Sequence, residues 1–259
     1  LVHTDMLHEA PLCVGIAHDA TASVRQFGQD FVNVYWAFDG LHGQLVRFDF
    51  ESDHGPGSMV HMYASVRRYD NLALHRRANV PSGMVVDAAS KTLYVADTGA
   101  DRVLAARIDS GTYIRDARAD FPIYSAPEPS FNYSIWSGLE WRVLQSVPSP
   151  SGLALDASAG VLYVGAHDAA EVYALNAQSG AVLQVAQLGG GGVDSSTGGT
   201  VTGLALSPAG VLHAIVDSVV VVVHVDVACA PRTVSGTDGG SCSNGGADGE
   251  ETDVDCGGR

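Results

Sequence analysis

Histidines crowd the start of this sequence. Seven of the ten, His3, His8, His18, His42, His54, His61 and His75, fall in residues 1–75, beside Asp5, Glu9, Asp19 and Asp53. Imidazoles and carboxylates brought together from separate segments hold zinc, and a zinc ion with an open position acts as a Lewis acid. His3, His8 and His54 are the first choices as ligands for such a site. The competing reading places these histidines on polar loops and turns in hydrogen-bonding roles. It is favoured here, because no ligand-spacing motif links them.

A second group, Asp248, Glu250, Glu251, Asp253 and Asp255, supplies hard oxygen donors for calcium within eight residues. It lacks the Asp-x-Asp-x-Asp-Gly spacing of an EF-hand loop, so a solvated acidic loop is the expected state. Nucleophilic chemistry finds no support. Gly-x-Ser-x-Gly is absent, Ser82 and Ser151 each precede an apolar strand and not a helix, and Cys13 lies inside a strand pattern.

The elements that would position these residues repeat along the chain. Pro81-Ser82-Gly83-Met84-Val85-Val86-Asp87 is followed by Leu93-Tyr94-Val95-Ala96-Asp97-Thr98-Gly99 and by a run from Arg102. Pro150-Ser151-Gly152-Leu153-Ala154-Leu155-Asp156, Leu162-Tyr163-Val164 and Glu171-Val172-Tyr173 repeat the pattern. In both copies the Gly precedes the Leu by ten residues, and the Leu precedes a Val of the next run by ten. Further copies begin at Val201-Thr202-Gly203 and, with an insertion, at Pro11-Leu12-Cys13-Val14-Gly15. Each unit reads as a β-meander that cannot cover both faces alone and must stack on its neighbours. Trp36, Tyr94 and Tyr163 are expected in the packing between units. Asp39, Asp97, Asp168 and Asp217 fall at the second turn of each unit, where carboxylates accept backbone N–H groups.

These residues resemble the NHL-repeat β-propeller family, whose blades carry Pro-x-Gly-apolar-x-apolar-Asp and then Leu-Tyr-Val-x-Asp-Thr-Gly-x-x-Arg. The match is close over 81–108, good over 150–175 and partial elsewhere. The resemblance implies a six-bladed propeller of which four blades, starting near 11, 81, 150 and 201, stand in this chain. With Leu1 in first place, the chain is expected to be the later part of a longer precursor, its upstream blades missing. A related secreted propeller, peptidyl-α-hydroxyglycine lyase, binds zinc through histidines from different blades; no motif here carries those ligands over.

A formal net charge of −15 speaks against a nucleic-acid footprint and an anionic membrane surface. The apolar run over 211–223 is too short to span a bilayer. Of the four cysteines, Cys13, Cys229, Cys242 and Cys256, three fall in the last 31 residues among Gly, Ser, Asp and Glu, where disulfides are the means of fixing a shape. Residues 242–258 resemble a small cysteine module, Cys-x-Asn-Gly…Glu-Thr-Asp-x-Asp-Cys-Gly-Gly, of algal and protist extracellular proteins. The stretch Gly111 to Val147 reads as a long inserted loop, Pro-rich and aromatic at its centre, of the kind that serves function or interaction, and it contains the single N-glycosylation acceptor, Asn132-Tyr133-Ser134.

The expectation is therefore an all-β, NHL-type propeller over 1–228 and a disulfide-held acidic module over 229–259. Its expected function is that of a secreted or cell-surface glycoprotein, a structural or interaction propeller that associates with itself or with other extracellular proteins or glycans, as in a matrix, wall or filament. No catalytic residue is nominated, and zinc or calcium are the cofactors left open. Two alternatives stand beside it, a metal-dependent secreted lyase and a ligand-binding or adhesion module.

Overall fold

The computed structural model describes residues 10, 12–22, 24–26, 29–31, 33–50, 64–117, 132–188 and 199–223. Over these residues the chain is all-β, in successive meander sheets. The first contains β1 (Cys13–His18), β4 (Val34–Asp39), β5 (Gln44–Asp49) and β6 (Ser65–Tyr69); between β1 and β4 the chain makes a separate two-stranded sheet of β2 (Val24–Gln26) and β3 (Gln29–Phe31). The second follows with β7 (Met84–Asp87), β8 (Thr92–Asp97) and β9 (Arg102–Arg107). The chain then makes β10 (Thr112–Asp116) and β11 (Asn132–Ser137) before β12 (Trp141–Ser146) returns to pair with β9. The third comprises β13 (Pro150–Asp156), β14 (Val161–Ala166), β15 (Glu171–Asn176) and β16 (Val182–Gln187). The fourth holds β17 (Val201–Leu206), β18 (Leu212–Val216) and β19 (Val219–Val223).

Within each unit the strands run antiparallel and in sequence order. The second strand of each of the first three, β4, β8 and β14, is covered on both faces, which is why it reads as a nearly unbroken apolar run. In β8, Leu93 and Val95 pack toward the first unit with Trp36, Phe38 and Leu45, while Tyr94 and Ala96 pack toward the third with Leu162 and Val164. Tyr163 joins Leu212 and Ala214 at the third seam. Fully burying one such side chain contributes about 1.5–3 kcal/mol. Sheets stacked face to face through shared cores, with the first strands β1, β7, β13 and β17 side by side, make a propeller-like arc of blades.

The repeat glycines have their reason at that inner seam. A Cβ on Gly83 would lie 2.4 Å from the Ser151 carbonyl oxygen, and one on Gly152 would lie 2.6 Å from the Leu204 nitrogen. Neighbouring blade backbones approach so closely here that only glycine fits. The serines beside them are buried and tie the blades together. Ser82 Oγ meets Thr98 Oγ1 at 2.9 Å, Thr98 Oγ1 donates to the Pro150 carbonyl at 2.6 Å, and Ser151 Oγ donates to the Val201 carbonyl at 2.6 Å.

The segment from Leu72 to Arg77 forms no strand; Leu72 and Leu74 are core residues between strands, and β12 is the outer strand of the second blade. One local expectation is corrected by the structure. The insertion, read as a loop, contributes the ordered hairpin β10–β11. That hairpin leaves its own blade and joins the first, giving the order β1-β4-β5-β6-β11-β10. β11 runs parallel to β6, with Tyr133 opposite Val66 and Trp136 opposite Tyr69.

Candidate interaction surface

The second-turn aspartates are held by donors from their own turns and from neighbouring segments. Buried Asp39 accepts from the Leu41 and His42 N–H groups at 3.0 and 3.4 Å, from Arg68 Nη1 at 2.7 Å, and lies 2.7 Å from His42 Nδ1. Burial pushes its carboxyl up, but the Arg68 and His42 hydrogen bonds and the Arg68 charge outweigh that and leave it below the usual range. Asp97 accepts the His75 N–H at 2.5 Å and Arg102 Nε at 2.8 Å. Asp168 takes hydrogen bonds from Arg77 and Ser149, with His167 Nδ1 at 2.8 Å. The Arg77 hydrogen bond, then His167, holds its carboxyl down at about 2. Asp217 accepts the Thr200 N–H and Oγ1–H, each at 2.8 Å. This end of the molecule is thus a set of capped turns, and what its carboxylates do chemically is hold backbone and neighbouring segments.

Nor does a metal centre form among the described residues, where no three His, Cys, Asp or Glu side chains come together. The His18 ring lies tilted against Tyr35, with ring centroids 5.1 Å apart, and His75 is exposed, 3.7 Å from Asp97 Oδ2. His3, His8 and His54 lie outside the described residues, as do Cys229, Cys242, Cys256 and the acidic run 248–255. Cys13 is a free, exposed thiol at the start of β1, with Sγ 3.3 Å from the Gly15 carbonyl.

The insertion hairpin is different in character, because its anchoring side is buried while its outer strand faces solvent. Tyr133 and Ser134 are buried; Ser134 Oγ donates to the Val66 carbonyl at 3.3 Å, and the Tyr133 hydroxyl accepts from Arg68 Nε. Arg68, itself buried, thereby bridges Asp39, Gln44 at 3.1 Å and Tyr133. Removing one member of such a network strands a buried guanidinium, so the hairpin is locked to the first blade. Asn132 is exposed at the start of β11, and its backbone N–H donates to the Ala64 carbonyl at 3.2 Å. The glycosylation acceptor therefore begins on a fixed strand.

Tyr113, Trp136 and Tyr69 form one cross-strand row across β10, β11 and β6 on the face turned toward the second blade. Tyr113 is 57 % exposed, and its neighbour Ile114 is exposed as well. On the second blade, Trp141 and Val143 sit opposite Ala106 and Leu104 in β12, on the face turned toward the first, and both are exposed. The outer part of the first seam therefore presents aromatic and aliphatic side chains from two sheets. Arg67 lies over the Trp136 ring at 4.2 Å and Arg102 over the Trp141 ring at 5.8 Å. Tyr, Trp and Arg held on rigid strands are the residue types that dominate protein-binding energy. Arg67, Arg102 and Trp141 were not nominated from sequence. The one available signal was the Arg67-Arg68 pair inside a strand pattern, whose alternation sends one guanidinium to each face.

No protein-family model matches the chain, and no curated protein matches its sequence. Solved structures are similar in fold. A nidogen/laminin complex is 15 % identical, covers 79 % of this chain and 56 % of that chain, and has a TM-score of 0.42. Streptogramin B lyase is 11 % identical, with 78 % of this chain and 47 % of that chain covered and a TM-score of 0.43. The β-propeller domain of Cps50 (Swd1) from Myceliophteria thermophila is 11 % identical, with 79 % and 49 % covered and a TM-score of 0.40. This chain spans about half the length of those three. Likeness at this level concerns the fold alone. The blade architecture stands on the chain's own strand order and seams.

Proposed function

We propose that this chain is part of an NHL-type propeller that works as a secreted or cell-surface interaction scaffold, binding protein partners through its surfaces. The observation that carries this reading is the outer seam of the first two blades, where Tyr113, Ile114, Trp141 and Val143 stay exposed on ordered strands while the hairpin behind them is bolted to the fold. The segment is anchored by Tyr133, Ile135 and Trp136, yet its outer strand spends Tyr113 and Ile114 on water, and such an exposure of apolar and aromatic side chains is explained by a partner. The carboxylates at the turn end point the same way, since those described are occupied in capping. The cysteine-rich acidic tail and the Asn132-Tyr133-Ser134 acceptor support an extracellular setting. The extended partner classes are other extracellular proteins, glycans and copies of the chain itself.

The test is a doubly substituted chain, Tyr113→Ser with Trp141→Ser, compared with the unsubstituted protein for retention of extracellular proteins from the source organism. Retention should fall at least tenfold, and because Trp141 Nε1 also donates to the Asn71 carbonyl at 3.1 Å, melting curves of both proteins establish that the substituted chain is folded at the temperature of the measurement. Equal retention by both proteins would remove this surface from consideration.

A further inference from the structure

The N-glycosylation acceptor offers its two working groups unequally. Asn132 is exposed at the start of β11, whereas Tyr133 is fully buried and Ser134 is 3 % exposed. The motif demands Ser or Thr two residues after Asn, so the transferring enzyme must reach the hydroxyl of Ser134 as well as the amide of Asn132. A hydroxyl has one hydrogen to donate and two lone pairs. Ser134 Oγ donates to the Val66 carbonyl at 3.3 Å and accepts from Trp136 Nε1 at 2.9 Å. The side chain that specifies the site is thus buried and engaged in the folded chain.

Lifting the strand to free it is costly. β11 lies between two neighbours, pairing in parallel with β6 from Asn132–Ser65 to Trp136–Tyr69 and antiparallel with β10 from Ser134–Asp116 to Ser137–Thr112. The Asn132 N–H is itself held by the Ala64 carbonyl at 3.2 Å. Inside the acceptor, the Tyr133 hydroxyl accepts from Arg68 Nε, and Arg68 is buried. Peeling residues 132–134 away breaks both ladders at once and leaves that guanidinium short of an acceptor in the core. Ile135, the next residue, belongs to the same core as Val46, Phe48 and Val66.

We propose that Asn132 is glycosylated only before the β10–β11 hairpin docks on the first blade. In the transfer, Asn132 Nδ2 forms a bond to the anomeric carbon of a sugar carried on a lipid pyrophosphate. The bond from that carbon to the phosphate oxygen breaks, the lipid pyrophosphate leaves with its electron pair, and the amide proton passes to a base of the enzyme. An unfolded chain presents residues 132–134 to this reaction, and the docked hairpin withholds them. Since Tyr113 arrives with that hairpin, occupancy at Asn132 is fixed before the binding seam exists. By strand alternation Asn132 shares a face with Ser134 and Trp136, so the docked strand holds the glycan on the side of the sheet that carries the seam, about 13 Å along the strand from Trp136. The inference rests on the reading of the chain as a secreted or cell-surface scaffold and adds to it a modification whose timing the fold sets.

The test offers the full chain to the enzyme at two stages. In one, the chain is translated behind a secretory leader with microsomes present during synthesis. In the other, the unmodified chain folds first and then meets detergent-opened microsomes supplied with the lipid-linked donor. The readout is a glycosidase-sensitive gain in mass, which Asn132→Gln must lack because the sequence has a single acceptor. The nascent chain is expected to be modified and the folded chain at least about tenfold less, since late transfer tracks the small fraction of chains with β11 opened. Ile135→Asp puts a carboxylate into the core under β11, leaves the acceptor intact and should restore late modification. A folded chain modified as fully as the nascent one, a refusal that persists in Ile135→Asp, or a nascent chain that takes no glycan overturns the proposal. Partner retention by the Tyr113–Trp141 seam is measured on unglycosylated chain in its own assay, so failure of that reading and failure of this one are told apart.

Discussion

The second and third blades are close copies in sequence, yet their second turns are built differently. Each runs from its middle strand into a 3-10 turn, over 98–100 and 167–169, followed by a left-handed residue, Asp101 with φ 51° and Ala170 with φ 50°. In the second blade the carboxylate stands before the turn. Asp97 is fully buried, paired with Arg102 at 2.8 Å and capping His75, which binds the entry segment to the strands. In the third blade Ala166 takes that place and the acid is inside the turn, where Asp168 is half-exposed and meets Arg77 across the seam. One backbone shape is thus supported once from within its blade and once by the neighbour. A repeated backbone does not require a repeated polar network, provided each turn finds some donor set.

The inner glycines, shared by both blades, should show the largest effects. Gly83→Ala would place a methyl against the Ser151 carbonyl oxygen and the Leu153 nitrogen, 2.4 and 2.6 Å away. Those are backbone atoms that cannot swing aside, so unfolding in urea should reveal a loss of about 3 kcal/mol. Gly152→Ala should behave alike, and a marked difference between them would show that the two seams are not equivalent. Asp97→Ala comes next. It removes the partner of Arg102 and the acceptor of the His75 N–H; because Arg102 keeps some contact with water, about 2 kcal/mol is expected from the same measurement.

Asp168→Ala should cost less than about 1 kcal/mol, since solvent screens the exposed Arg77 pair. Its pH dependence gives the sharper reading. With the folded carboxyl at about 2 and an unfolded value near 3.9, the contribution is present above roughly pH 4 and disappears as pH falls toward 2. Melting temperatures of the unsubstituted chain and of Asp168→Asn should therefore converge over that interval. A difference that persists to pH 2 would mean that Asp168 acts through geometry and not through charge.

Much of the all-β architecture was legible in the sequence because its cause is local. Spacing of ten from Gly83 to Leu93 and from Leu93 to Val103, alternation within Leu93-Tyr94-Val95-Ala96, and glycine at the inner strand describe one meander whatever its neighbours do. The capping role of the second-turn aspartates was local only at Asp39, whose carboxylate reaches N–H groups two and three residues on. Asp97 and Asp217 instead accept the N–H groups of His75 and Thr200 from earlier segments, and Asp168 meets the side chains of Arg77, Ser149 and His167. The candidate surface was not legible in this way. Residues 111–147 read as a loop because nothing in them specifies that Asn132–Ser137 pairs in parallel with Ser65–Tyr69, more than sixty residues earlier and in another blade. Nor does the chain order show that Trp141 and Tyr113 border one seam, or that Arg68 is buried among Asp39, Gln44 and Tyr133.

By itself, then, the sequence determined the repeating unit, its strand boundaries at the conserved spacing within the chain, and the glycines where backbones meet. Tertiary structure decided which sheet the hairpin extends, which aspartate is buried, and which apolar faces remain open. The division follows from the physics. Side-chain alternation and turn chemistry act over a few residues and are written in order along the chain, whereas an edge strand accepts any partner whose backbone hydrogen bonds and side-chain row fit it. That choice depends on how the blades have already packed.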